Sequence, residues 1–440
     1  MLTSESKEPY LAAFKQMRAA GAFSGPAWLE QLRQAGIASF DGLGFPTLKN
    51  EDWKYTNIEP IAAQSYVQPN GEVQSVGATD LLSRALVETD TPRLVFVNGV
   101  YLPALSSTAD LPQGLRLGSL AEFIKRDDGL VADELGRHAS AEGQHFVALN
   151  TAFLGDGAVV ALAPGCRLER PIYLLFISTS TSRPVISHPR ILLWLGAGSD
   201  AKIVESYLGV TGTAYFCNAV TELVGGADSV VEHFRLQQES DNGFHVGTFD
   251  ASLARGCHLT AHSVTLSGAL VRNNLRVLLN GEGAECALNG LYLADGKQHV
   301  DNYTLIEHVS PKATSVELYK GLLGGSAHGV FNGKIVVHKD AQKSDARQTN
   351  KNLLLSDNAV IDSKPQLEIY ADDVKCSHGS TIGQLDADAI FYLRSRGLDT
   401  AAARSLLSFA FASDVVRRLG IENLRQRLDE YLVGRFGAWL

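Results

Sequence analysis

From Gly198 to Asp372, runs in which apolar and polar side chains alternate are broken by a turn residue about every 14 positions, at Gly198, Gly212, Gly226, Gly243, Gly256, Gly268, Gly281, Gly296, Pro311, Gly325, Asp340, Asp357 and Asp372. The runs between them, among them VVEHFRLQ, CHLTAHSVTL, VRNNLRVLL, DNYTLIEHV and GKIVVH, are rich in β-favouring residues, and their period of two predicts strands with one buried face each. A longer period lies above this one. Ala201, Ser229, Cys257 and Glu285 follow one another at 28 residues, so two strand-and-turn units predict one full turn of a stack. A unit too small to bury its own apolar face must lean on its neighbours, which predicts a mainly β fold built on a β-solenoid over residues 151–385. An antiparallel meander folded into a sandwich carries the same turn spacing; the regular longer step favours the solenoid.

The flanks have a different rhythm. Residues 1–150 read as a partly helical N-terminal domain and a junction. PYLAAFKQMRAA and PAWLEQLRQAG have helical apolar spacing, with Gly21 and Gly36 as predicted ends. NEDWKYTNIEP clusters Asn, Asp, Thr and Pro as a loop does, RLVFVNGVY is strand-like from Arg93, and GSLAEFIKRDDGLVADELGRH reads as a broken helix. Over residues 386–440 the period becomes helical. Asp386 caps one predicted helix ending at Gly397, and Asp399 or Thr400 caps a second. There Leu407, Phe411, Val415 and Leu419 recur every fourth position while Leu406, Phe409 and Val416 widen the stripe, and Leu424, Leu428 and Leu432 mark a third helix. About 50 residues cannot bury that much apolar surface among themselves. The helices are therefore expected to cap the end of the solenoid, to dock another protein, or to do both.

Composition narrows the function classes. A chain of 440 residues with 45% hydrophobic content supports a large core, and 39 Lys and Arg against 48 Asp and Glu leave no basic stripe for nucleic acid. The longest apolar stretches, IYLLFI and ILLWL, fall far short of the roughly 20 residues that span a bilayer, and MLTSESKEPYLAAF lacks a basic start followed by an apolar block, so a cytoplasmic protein is expected. Five scattered cysteines without CxxC, at 166, 217, 257, 286 and 376, read as reduced thiols.

Candidate chemistry is sparse. GVFNGK at Gly329–Lys334 is too short between glycines for a phosphate loop and has Ile335 where Ser or Thr would hold magnesium; GAGSDA at Gly196 is a repeat turn without the third glycine of a dinucleotide fingerprint. HVDNYTLIEH offers His299, Asp301, Glu307 and His308, but alternation turns His308 to the face opposite His299 and Asp301, which favours surface and core roles. Hydrolase signatures are absent, although carboxylates on the repeats leave a carbohydrate-active solenoid enzyme open as another reading. The remaining candidate is ADDVKCSHGSTIGQLD on the last turn. There Val374, Cys376 and His378 share one face, thiol and imidazole about 7 Å apart along the strand. Such a pair suits soft and borderline metals, and the unpaired edges of a terminal turn invite a second chain that supplies further ligands.

DNYTLIEHVSPKATSVELYKGLL, GVFNGKIVVHKDAQKSDARQTNKNLLLS, PQLEIYADDVKCSHGSTIGQLD and NEDWKYTNI resemble the SufB/SufD family of the SUF iron-sulfur cluster assembly machinery. SufB carries a cysteine-bearing segment and an acidic residue after the matching histidine; Gly379 follows His378 here, which is similar to the SufD branch. The resemblance implies a right-handed parallel β-helix between an N-terminal, partly helical domain and a C-terminal helical one. It implies a noncatalytic scaffold that pairs with SufB through the β-helix edge, forms a homodimer through the same edge when isolated, and binds the ATPase SufC through the C-terminal helices, with Leu406, Phe409, Phe411, Val415 and Val416 as docking residues. It further implies a transient iron-sulfur cluster at the SufB junction with no cofactor stably bound, His378 as a metal ligand where iron enters, and Cys376 as a secondary candidate. The sulfur-acceptor role of SufB is not carried over to Cys376, and none is given to Cys257 or Cys286, expected to stack near one another in successive turns.

Overall fold

The computed structural model describes residues 4–68, 82, 85–86, 91–109, 111–179 and 182–439; within the predicted junction, residues 87–90 and 110 lie outside this set. Two ten-stranded sheets face each other. Sheet I runs Val100–Tyr101, Arg93–Val97, Ile172–Ser178, Asp200–Gly209, Val230–Gln238, His258–Ser267, Glu285–Ala294, Thr314–Leu323, Asp345–Leu354, Lys375–Gly383. Sheet II runs from Leu115–Ser119 and Gly157–Leu162 through Arg190–Leu195, Tyr215–Gly225, Gly243–Leu253, Leu270–Leu279, His299–His308 and His328–Val337 to Val360–Ile369, with Val185–Ser187 beside Tyr215–Gly225. Every pairing between strands from Ile172 onward is parallel, and the chain alternates between the sheets, so the fold is a parallel β-solenoid and not an antiparallel sandwich. Strands from before residue 150 complete its first turn: Arg93–Val97 pairs with Ile172–Ser178, and Leu115–Ser119 with Gly157–Leu162.

The turn length varies. Ala201, Val231, Leu259, Cys286, Ser315, Ala346 and Cys376 stack as successive partners, at steps of 30, 28, 27, 29, 31 and 30 residues. The constant 28-residue step of the sequence therefore lies toward the short end of a range. What repeats strictly is the corner. Gly198, Asp228, Gly256, Gly283, Lys312 and Lys343 all have positive φ, and each donates its amide to a carbonyl in the next turn at 2.6–3.1 Å. Glycine adopts this left-handed conformation freely, and the lysines hold it because the inter-turn bond fixes them.

From Asp200–Gly209 to Thr314–Leu323 both faces of sheet I are largely buried, and this reverses the usual sense of alternation. In Val230–Gln238, Phe234 and Leu236 join a cluster with Val415, Val416, Leu419, Leu424, Leu428 and Leu432 of the C-terminal helices, outside the solenoid. His233, Arg235 and Gln237 share the inward face with Val231 and are buried inside it. The inward charges are paired: the carboxylate of Glu205 accepts from His233 Nε2 at 2.9 Å, Arg235 Nη2 at 3.2 Å and Thr221 Oγ1 at 2.8 Å. Burial would raise the Glu205 pKa, but Arg235 and His233 overcome it and hold the value at about 2.

The C-terminal helices Ala387–Ser395, Thr400–Val416 and Glu422–Trp439 start where expected, with Asp386 accepting from the amides of Asp388 and Ala389, and Asp399 from that of Ala402. Their placement corrects the expectation of an end cap: the last two lie along the outer face of sheet I. Lys320 Nζ on sheet I reaches Asp414 at 2.7 Å and the Phe411 carbonyl at 3.2 Å, and Gly420 N donates to Glu232 at 2.7 Å. At the other flank the helix Ala27–Leu43 continues through Gly36. A Cβ there would lie 2.7 Å from the backbone of Ala152, so this glycine serves helix packing and not helix ending.

Candidate functional site

The solenoid ends uncovered. Among the described residues the strand Lys375–Gly383 pairs with Asp345–Leu354 alone and Val360–Ile369 with His328–Val337 alone, which leaves the outer edge of each sheet without a partner. Apolar side chains stand in solvent around this end: Tyr370 is 62% exposed, Val360 52% and Ile382 50%. An open edge ringed by apolar groups is a template for strand pairing with another chain.

On this end Cys376 and His378 occupy the inward face of the last strand, directly over Ala346 and Gln348 of the turn below. Cys376 packs partly against the core, and burial, followed by the nearby Asp345 carboxylate, pushes its thiol above the ordinary cysteine value. A raised thiol holds its proton at neutral pH and is a poor ligand until a cation displaces that proton. His378 is exposed because no further turn covers it.

The floor beneath these two residues is polar. Gln348 Nε2 donates to Glu317 Oε2 at 2.7 Å, one turn deeper, and both side chains are buried. Burial raises the Glu317 pKa to about 7, with Thr304 and Gln348 opposing it only in part. Beside this pair a second chain of bonds runs inward: Ser380 Oγ meets Ser363 Oγ at 2.7 Å, Ser363 Oγ donates to Asn350 Oδ1 at 2.8 Å, and Asn352 Nδ2 donates to the same oxygen at 2.7 Å. Sequence reasoning passed over Gln348, Asn350 and Asn352, although DARQTNKNLL alternates them with Arg347, Thr349 and Lys351. The signal was a strand with two polar faces, of which one had to point inward.

The other predicted residues separate into distinct roles. Leu406 is 45% exposed, and Phe391 and Tyr392 on the preceding helix are 73% and 57% exposed, whereas Phe409 and Phe411 are half-buried against the outer face of sheet I and Val415 and Val416 are fully buried there. Val415 and Val416 are thus closed to a partner, because sheet I already covers them. His299, Asp301 and Thr56 form a junction between the NEDWKYTNI segment and the solenoid: Thr56 Oγ1 lies 2.9 Å from His299 Nε2 and also bonds Asp301, which takes the guanidinium of Arg272 as well. His308 faces inward and bonds Ser315 Oγ at 2.8 Å. Glu307 faces outward between Arg276 and His338. Cys286 stacks on Leu259, two residues beyond Cys257, and the two thiols come near one another: burial, then the Glu317 carboxylate and Cys257, raises that of Cys286, and burial raises that of Cys257 to about 11.

Residues 4–174 match the family model "SufBD protein N-terminal region", and residues 176–411 match "SUF system FeS cluster assembly, SufBD core domain". The chain is 33% identical to an iron-sulfur cluster assembly SufBD family protein of Synechocystis over 90% of its own length and 89% of that protein. It is 34% identical to the iron-sulfur cluster assembly protein SufD of Escherichia coli over 88% of each chain, and 24% identical to that of Bacillus subtilis over 92% and 93%. The open end with its thiol and imidazole belongs to the matched core region, and the chain belongs to the SufBD family of SUF-system iron-sulfur cluster assembly proteins.

Proposed function

We propose that this chain is a noncatalytic scaffold subunit that pairs through its open end with a SufB-type paralogue and presents His378 to a nascent cluster at that junction, while the C-terminal helices hold a SufC-type ATPase. The observation that carries the reading is the position of Cys376 and His378 on the inward face of an uncovered last turn. Two potential metal ligands are too few for a cluster iron, and a partner packed on this end would complete the set. A neutral imidazole binds iron through a ring lone pair, a capacity lost on protonation. Gly379 beside the histidine and Gly383 at the end of the strand have open space where a Cβ would stand, so a second backbone can approach closely. When isolated, the chain pairs with a second copy through the same edge. A cytoplasmic setting follows from the same reading, since nascent clusters need a reducing compartment.

The test is the iron and acid-labile sulfide content of the complex purified anaerobically with the SufB-type and SufC-type partners, wild type against His378→Ala. Equal assembly with cluster in the wild type alone is the expected result. Equal cluster in both would move the chemistry to the partner and leave this end as an interface.

A further inference from the structure

Glu317, Gln348 and His378 stand at one level of three consecutive strands, about 4.8 Å apart up the ladder. The amide nitrogen of Gln348 is committed downward, to Glu317 Oε2 at 2.7 Å. From the facing sheet Gly333 presses its bare backbone on this amide; a Cβ there would lie 2.4 Å from Gln348 Nε2. Held from below and from the side, the carboxamide leaves its oxygen buried and without a hydrogen-bond partner. A buried, unpaired acceptor draws any donor within reach, since leaving it unmade is costly. The next side chain in the column is the exposed imidazole of His378.

We propose that Gln348, braced by Glu317, is the positioning residue of the terminal imidazole: its oxygen accepts one ring N–H of His378 and turns the other ring nitrogen, with its lone pair, toward the partner side. This rests on the reading of His378 as an iron ligand and adds the reason why its tautomer is fixed before iron arrives. A neutral imidazole has a single N–H, so the nitrogen that holds a partner decides which one is free for a metal. Residues that hold a metal-binding histidine in this way are worth 10–100-fold in affinity in other sites.

The experiment pairs two readouts on the full-length protein. In the complex purified with its partners, Gln348→Met keeps the side-chain volume but removes the acceptor, and is expected to lower iron and sulfide about tenfold. The exchanged pair Glu317→Gln with Gln348→Glu keeps a donor below and an acceptor above, and is expected to restore most of the loading. In the isolated chain, nitrogen-15 spectra of labelled histidine, with the His378 signals assigned by their loss in His378→Ala, should show one dominant tautomer that Gln348→Met scrambles. Unchanged His378 signals together with full iron loading in Gln348→Met would overturn the inference. If Gln348→Met fails to hold its partner, the spectra decide alone. Full loading in His378→Ala would instead remove the underlying reading, while the tautomer measurement would still judge Gln348.

Discussion

At the scale of single residues, the interior of this solenoid departs from an apolar core in ways that can be measured. Glu317 is the clearest case: burial raises its pKa to about 7 from an ordinary glutamate value near 4.5. The folded state therefore holds a proton that the unfolded state has released, so its favourable contribution is complete below about pH 4.5 and fades as pH rises toward 7. A shift of this size corresponds to roughly 3.5 kcal/mol at most, at about 1.4 kcal/mol per pH unit. Glu317→Gln removes the titration and keeps an acceptor for the Gln348 amide. Urea unfolding at pH 5 and pH 8 should show the variant gaining stability relative to wild type as pH rises, by about 1–3 kcal/mol. A pH-independent difference between the two would mean that Glu317 is ionised throughout.

At the scale of elements, the turn positions and the alternation of the strands were legible in the sequence because glycine, aspartate and a period of two have local causes. Three other features were not local. Val230–Gln238 reads as one apolar and one polar face, but whether His233, Arg235 and Gln237 meet solvent or the interior depends on helices that arrive almost 200 residues later. The stripe on Thr400–Val416 announced a buried face without naming what buries it, and so the end of the solenoid was expected where its flank is found. Gly36 looked like a helix end because its tight contact with Ala152 comes from a distant segment. The site shares this division. Cys376 and His378 were visible from spacing, whereas Gln348 beneath them is set by the register of the ladder. On the helix Thr400–Val416 the proposed binding role and the structural role can be tested separately. Val416→Ala should cost about 1–3 kcal/mol in thermal or urea unfolding, since it empties a filled contact with sheet I. Leu406→Asp, at an exposed position, should stay within about 0.5 kcal/mol of wild type. In pull-down with a SufC-type ATPase, Leu406→Asp should lose capture; retained capture would place the docking surface elsewhere.

At the scale of the whole molecule, a solenoid has two ends and must manage both. The first turn is closed by the antiparallel strands Val100–Tyr101 and Leu115–Ser119, which stop the parallel ladders. Among the described residues the last turn has no such device: its two edge strands stay open, and Tyr370, Val360 and Ile382 stand exposed around them. Natural sheets blunt open edges with charge, bulges or cover, so an edge left apolar is a template for pairing with another chain. On the proposed function that chain is, in the isolated protein, a second copy, and such a contact is two-fold because the same surface serves both sides. Tyr370→Asp with Ile382→Asp puts like charges into the contact without touching Cys376, His378 or the ladder bonds beneath them. Sedimentation equilibrium should find wild type near twice the 47.4 kDa chain mass and the double variant at the chain mass, with unchanged thermal unfolding of the monomer. Because the partner paralogue is proposed to use the same edge, the double variant should also fail to retain it and should carry no iron. A monomeric wild type that still binds its paralogue would restrict the edge to the heterocomplex, and a double variant that keeps both contacts would show that pairing runs through another face.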